Sequence, residues 1–174
     1  YYETPVRRAE DFRKAYDITL KMTELARSDG AVTYCTMGPY PVQLLELAEI
    51  MSLEKATEVM KGGMDIAAQL VRDGKAIALG EIGRPHFPVS DEIMAASNDI
   101  LSYGMSLAKE CSCPVVIHAE SATPSSMENL AQMADRVGLP REKVVKHDCG
   151  PRVRPEENHG VFPSVLASRD MVQE

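Results

Sequence analysis

A carboxylate and two imidazoles recur near the ends of three apolar segments of this sequence. Glu81 lies in "ALGEIG", His118 ends "PVVIH" and His147 ends "KVVKH". The intervals between them are 37 and 29 residues, and each is close to the length of one strand–loop–helix–loop unit. An ionised Glu among apolar residues is costly unless a positive charge meets it. Glu81 is therefore predicted either to form an ion pair in the core or to face a functional site.

The residue types at these three positions indicate metal chemistry. Neutral imidazole nitrogens and carboxylate oxygens are ligands of zinc, manganese, iron and similar cations. On successive parallel strands, Glu81, His118 and His147 would converge at the carboxyl edge, which is the functional edge of parallel α/β folds. A bound dication would meet the charge of Glu81 and would lower the pKa of a bound water toward about 7, making hydroxide the nucleophile. Asp148 and Glu120 are the candidates to orient a ligand imidazole.

A structural interpretation of the same residues stays open. A single histidine at a strand end is more often a hydrogen-bonded structural residue, and a single Glu in a strand is more often an ion-pair partner. In that case Glu81, His118 and His147 would satisfy one another in a scaffold or binding protein without catalysis.

The elements that carry these residues alternate between helices and short apolar strands. The predicted helices span 9–30, 42–51, 53–74, 90–112 and 123–138, the predicted strands span 31–37, 75–83, 114–120, 142–149 and 160–168, and a further helix begins at 169. Such alternation indicates βαβ units and a parallel α/β sheet that is covered by helices. The sheet is either doubly wound or part of a (β/α)8 barrel.

The bulk properties narrow the class of protein. The 174 residues are 44% hydrophobic and 26% charged, and no linker divides them, so residues 1–174 predict a single domain. A net charge of −7 argues against a phosphate-binding surface as the main feature, although a bound metal can supply local positive charge for a nucleic-acid substrate. No apolar run reaches about 18 residues, so we expect no membrane span. The four cysteines fit no small disulfide framework and predict reduced thiols in a cytoplasmic protein.

Several of these strings resemble the TatD family of metal-dependent hydrolases, which belongs to the amidohydrolase superfamily. The matching features are "GEIG" at 80–83 and the two strands that end in His118 and His147. "GPYP" at 38–41 is similar to the family's glycine-X-histidine-proline turn, with Tyr40 where histidine is usual. The strings "GEIGRPHFPVS" and "HDCGP" look most like the archaeal TatD-related branch.

The resemblance implies a TIM barrel, (β/α)8, with one or two divalent metals (Zn, Mn, Fe, Ni or Mg) at its C-terminal face. It implies that Glu81 bridges the metals as the catalytic carboxylate, and that His118 and His147 bind one of them. It also implies hydrolysis of a phosphodiester, either in nucleic acid, as a deoxyribonuclease, or in a small molecule.

The resemblance is incomplete at two further ligand positions. The family uses a His-X-His pair on its first strand and an aspartate on its last, and this sequence contains neither feature in such a strand. A full barrel needs about 250 residues, so we expect these residues to be an internal piece of a longer protein, with only part of the barrel present. If they are the whole protein, the open sheet edges need a partner, for which a homo-oligomer is one candidate.

Three loop residues are predicted to contact substrate. Arg84 and His86 follow the Glu81 strand in "GRPHFP", and Arg152 follows the His147 strand in "GPRVRP". A guanidinium there could hold a phosphate or carboxylate bidentately. Solvated surface positions are the alternative interpretation for all three.

Overall fold

The computed structural model describes residues 5–149, 154–166 and 168 as a parallel sheet with helices packed against it. The strands are β1 (Thr36–Met37), β2 (Ala78–Gly83), β3 (Val115–His118), β4 (Val144–Lys146) and β5 (Phe162–Pro163). The α-helices are α1 (Phe12–Ser28), α2 (Gln43–Ala48), α3 (Leu53–Arg72), α4 (Asp91–Glu110) and α5 (Pro124–Val137). The helix predicted to begin at 169, and the predicted substrate residue Arg152, lie outside the described residues.

The strand order distinguishes between the two predicted architectures. The sheet runs β1-β2-β3-β4-β5, and every strand is parallel to the neighbour that precedes it in sequence. A doubly wound sheet reverses its strand order at a switch point. Since the described strands advance in one direction only, they form a stretch of barrel-type winding, and the predicted α/β class is confirmed.

A layer of buried side chains shows how the three central strands are aligned with one another. Leu79 pairs with Val115, and Val115 pairs with Val144, and all three side chains are fully buried. Because this register is shared, the strand ends a few residues later also stand beside one another. The sheet thereby places the residues after Leu79, Val115 and Val144 at one edge.

Capping residues fix where two of the covering helices begin. The Oγ atom of Ser90 accepts a hydrogen bond from the backbone N–H of Ile93 at 3.3 Å, which makes Ser90 the N-cap of α4. Thr123 and Ser126 form a reciprocal capping box at α5, which ends at Gly138 with φ of 74°. These side chains satisfy backbone donors that a helix start leaves open.

Thr123→Ala should lower the free energy of unfolding by about 1 kcal/mol, because the Ser126 backbone N–H loses its side-chain acceptor. Urea titration followed by circular dichroism measures this loss. Ser125→Ala, an exposed change in the same helical turn, is the control and should be nearly neutral. An equal effect of the two substitutions would contradict the capping role.

The outer strands are shorter than the sequence predicts. The segment 31–37 forms a strand only at Thr36–Met37, and among the described residues of the segment 160–168 the strand covers Phe162–Pro163. Val32 is 86% exposed and Tyr34 is 69% exposed, so this apolar run does not lie in the core of the described chain. Within the described sheet β1 and β5 each pair with one neighbour, and an apolar segment without a second neighbour has less ladder to join.

Helix α3 continues through Gly62 and Gly63 without a break. A Cβ atom at Gly63 would lie 2.4 Å from the Phe12 ring, so the glycine allows α1 to pack closely against α3. All four cysteines are free thiols. Among the described residues, every helix is too short or too polar to cross a bilayer.

Candidate metal centre

Glu81 lies on a bulge in the sheet rather than inside it. The pairing of β2 with β3 shifts between Gly80, which faces Val116, and Ile82, which faces Ile117. The extra residue is Glu81, and a bulge of this kind re-aims a side chain. Its side chain is 40% exposed, so Glu81 does not form the ion pair in the core that was one of the two sequence-based alternatives.

The two histidines stand at the ends of the next two strands. His118 is the last residue of β3, and its side chain is 16% exposed. His147 directly follows β4, where its backbone N–H donates to the carbonyl oxygen of Ile117 at 3.1 Å, and its side chain is 24% exposed. Both rings therefore face the same partly open edge as Glu81.

Three donor atoms from these strands form a small triangle. Nδ1 of His118 lies 2.8 Å from Nε2 of His147, and the Oε2 atom of Glu81 lies 3.7 Å from the first nitrogen and 3.6 Å from the second. Ligand atoms at 2.0–2.2 Å from one ion are about 3 to 3.5 Å apart, so these separations bracket those of a shared cation. The donor set therefore fits a divalent metal, as the sequence predicts.

The electrostatic environment keeps His118 in the form that binds metals. Burial lowers the pKa of His118, the neighbouring His147 lowers it further, and the Glu81 carboxylate acts in the opposite direction. A lowered pKa favours the neutral imidazole, whose lone pair is the ligand.

The sequence matches the family described as TatD related DNase over residues 8–168. The chain belongs to this family. TatD proteins are metal-dependent hydrolases with a TIM-barrel fold, and the one-directional winding of β1 to β5 agrees with that fold.

The chain is also similar to an archaeal protein. The "Uncharacterized protein MJ1127" of Methanocaldococcus jannaschii is 43% identical over 155 residues, which is 88% of this chain and 55% of that protein. The chain thus spans about half the length of this curated relative. No solved structure matches the chain.

An aromatic rim lies along one side of the candidate metal centre. The His86 Nδ1 atom lies 2.8 Å from Nε2 of His118, and the Tyr40 hydroxyl lies 3.4 Å from the same nitrogen. The Phe87 ring packs edge-on against His86, with the ring centroids 5.1 Å apart. The sequence indicated His86 as a candidate substrate contact and marked Tyr40 through the variant "GPYP" turn, but it gave no signal for Phe87 beyond its place beside His86.

Arg84 is occupied by protein groups instead of facing the centre. Its side chain is 7% exposed, and its Nε and Nη2 atoms donate to both carboxylate oxygens of Glu120 at 2.8 and 2.5 Å. Its Nη1 atom donates to the amide oxygens of Asn98 and Asn129, each at 2.9 Å. This geometry favours a supporting role over the predicted substrate contact, because the guanidinium is enclosed between α4 and α5.

The predicted orienting carboxylates are placed differently from the expectation. Glu120 binds Arg84 and not the His118 ring, and Asp148 is exposed, with a backbone φ of 52°. Burial raises the pKa of Glu120, but the hydrogen bonds and charge of Arg84 together hold that pKa below its ordinary value.

Lys146 is a buried cation that the sequence analysis overlooked. It is 1% exposed, and its Nζ atom donates to the carbonyl oxygen of His147 at 2.7 Å. Burial lowers the pKa of Lys146. Side chains alternate between the two faces of a strand. Because Lys146 directly precedes His147, its side chain could have been predicted to lie on the opposite face, toward the helices.

Proposed function

We propose that this chain supplies Glu81, His118 and His147 to the metal centre of a hydrolase that cleaves phosphodiester bonds, with DNA as the substrate class. The observation that carries the proposal is the convergence of three donor atoms from adjacent strand ends within 4.8 Å of one another. The description of the family as TatD related DNase supports DNA as the substrate.

Each residue of the centre has a role that follows from its place. When bound, a divalent cation lowers the pKa of a water and polarises the phosphoryl group. Glu81 supplies the negative charge that attracts the cation, and its exposed position leaves the centre open to substrate. His118 and His147 supply neutral nitrogens, so that the cation keeps most of its charge for the phosphoryl group.

The surroundings of the centre support a nucleotide substrate. Arg84 is held by Glu120, so its guanidinium is not free to bind a phosphate, and a bound cation would supply positive charge for one. Tyr40 is 39% exposed and Phe87 is 37% exposed, and exposed rings of this kind stack against nucleobases.

Chelation followed by reconstitution tests the proposal. The complete protein should hydrolyse bis(p-nitrophenyl) phosphate and a labelled DNA oligonucleotide, lose the activity in a chelator and regain it with Zn²⁺ or Mn²⁺. His147→Ala should lower the rate of the reconstituted protein by about 10²-fold or more. The reason is that a metal contributes several kcal/mol to stabilisation of the transition state, and this contribution depends on its ligands. A p-nitroanilide substrate tests whether an amide is cleaved instead.

His159→Asn is the matched control for the histidine substitution. His159 adopts a φ of 52°, which asparagine tolerates. The substitution should therefore leave the metal content and the rate unchanged. Protein that holds no metal and hydrolyses neither phosphodiester would refute the proposal and favour the non-catalytic scaffold, in which the His118–His147 hydrogen bond is structural.

A further inference from the structure

We infer that His86 is a positioning residue that fixes the tautomer and ring orientation of His118, so that the Nδ1 atom of His118 is presented to the metal. The inference rests on the proposed metal centre and adds to it a residue outside the donor triangle of Glu81, His118 and His147. It replaces the sequence-based expectation that His86 chiefly contacts substrate.

The contact between the two rings is short and edge-on. Nδ1 of His86 lies 2.8 Å from Nε2 of His118, within the range of a good hydrogen bond. The ring planes are 82° apart and the centroids 4.9 Å apart, so the rings meet through their edges and do not stack. His118 consequently has a histidine at each of its two nitrogens.

The chemistry of a neutral imidazole decides which way this hydrogen bond runs. Nδ1 of His118 faces Glu81 and His147, so it must carry a lone pair to bind a cation there. The single ring proton of His118 is then on Nε2, which donates to Nδ1 of His86. Metal-ligating histidines commonly use their second nitrogen in this way, and here the acceptor is another imidazole.

The loop that carries His86 is anchored to the strand that carries His118. The backbone N–H of Arg84 donates to the carbonyl oxygen of His118 at 2.9 Å, and its guanidinium is held by Glu120. The Phe87 ring also packs edge-on against the His86 ring, at 84° between the ring planes. Tyr40 is a weaker candidate for the same task, because its hydroxyl is 3.4 Å from the nitrogen, at the long limit for a hydrogen bond.

Metal affinity of the complete protein tests the role of His86 apart from activity. In a chelator competition with Zn²⁺, His86→Phe keeps an aromatic ring but lacks the acceptor, and it should weaken binding about 10- to 100-fold. His86→Asn keeps an acceptor near the Nδ1 position and should restore most of the affinity. His159→Asn is the control for loss of a histidine elsewhere. The absorption bands of bound Co²⁺ should change in His86→Phe and stay close to wild type in His86→Asn.

Steady-state kinetics separate positioning from substrate contact. A positioning role predicts that excess Zn²⁺ rescues most of the rate of His86→Phe with an unchanged KM. A raised KM at saturating Zn²⁺, with wild-type affinity for the metal, would overturn the inference while leaving the proposed function intact. Wild-type protein that binds neither Zn²⁺ nor Co²⁺ would overturn both. Melting temperatures of the metal-free variants should match, because His86 is exposed.

Discussion

Glu81→Gln should reduce phosphodiester hydrolysis by about 10³-fold or more and should weaken metal binding strongly, because it removes the one carboxylate of the donor triangle. Gln has nearly the same shape as Glu, so packing at the bulge is preserved. The amide oxygen remains a weak ligand, but the negative charge that offsets the cation is lost. Isothermal titration with Zn²⁺ and the rate of bis(p-nitrophenyl) phosphate cleavage measure the two effects.

The control for Glu81→Gln is the same change on the helical surface. Glu128 is exposed on α5 and accepts a hydrogen bond from Gln132, so Glu128→Gln should leave metal content and rate unchanged. Circular dichroism should show the same fold for both variants. Wild-type Zn²⁺ affinity in Glu81→Gln would remove Glu81 from the centre and would leave two histidines as an incomplete site.

The central strands could be predicted from the sequence because each is a short apolar run between two helical segments. The apolar runs that contain Leu79, Val115 and Val144 are found as β2, β3 and β4, in register with one another. Intervals of one βαβ unit were then enough to bring Glu81, His118 and His147 to one edge. The positions of these three residues near strand ends, together with the one-directional strand order, were therefore sufficient to predict that they lie close together.

The edge of the sheet could not be predicted in the same way. Val32 and Tyr34 have strand-forming side chains, but they are exposed, because strand formation needs a neighbouring ladder that local sequence does not specify. The bulge at Glu81 is also a property of pairing, since it arises from the register of β2 against β3. It explains why a carboxylate in an apolar string is solvated.

The partners of charged residues beyond strand ends were the least predictable part. Glu120 lies two residues after His118 and looked suited to orient it, yet its carboxylate binds Arg84. Which face such a side chain takes depends on the turn that follows the strand, and sequence spacing leaves both faces open. His86 was found near the centre because its loop is short and is tied to His118 by the backbone of Arg84.

The Arg84–Glu120 pair should prove to be a strong stabilising interaction in a double-mutant cycle. Glu120→Leu leaves a guanidinium that is 7% exposed without its carboxylate, and we expect a loss of about 3 kcal/mol in the free energy of unfolding. Arg84→Met should reduce the free energy of unfolding by less, because the Glu120 side chain that it leaves unpaired is 39% exposed and can be hydrated. The double variant should be clearly more stable than the sum of the single losses implies, with a coupling energy of about 2 kcal/mol measured by urea unfolding.

Acidification gives the same pair a second, independent signature. Since the folded pKa of Glu120 lies below its ordinary value, the pair's contribution is complete above that ordinary value and is lost as the pH falls through the folded pKa. The coupling energy should therefore be constant near neutral pH and shrink in acid. The bidentate pair of Arg141 with Asp135, with contacts of 2.6 and 2.9 Å and both side chains exposed, is the matched control and should show much weaker coupling. Equal coupling in the two pairs would mean that enclosure between α4 and α5 adds nothing to the Arg84 interaction.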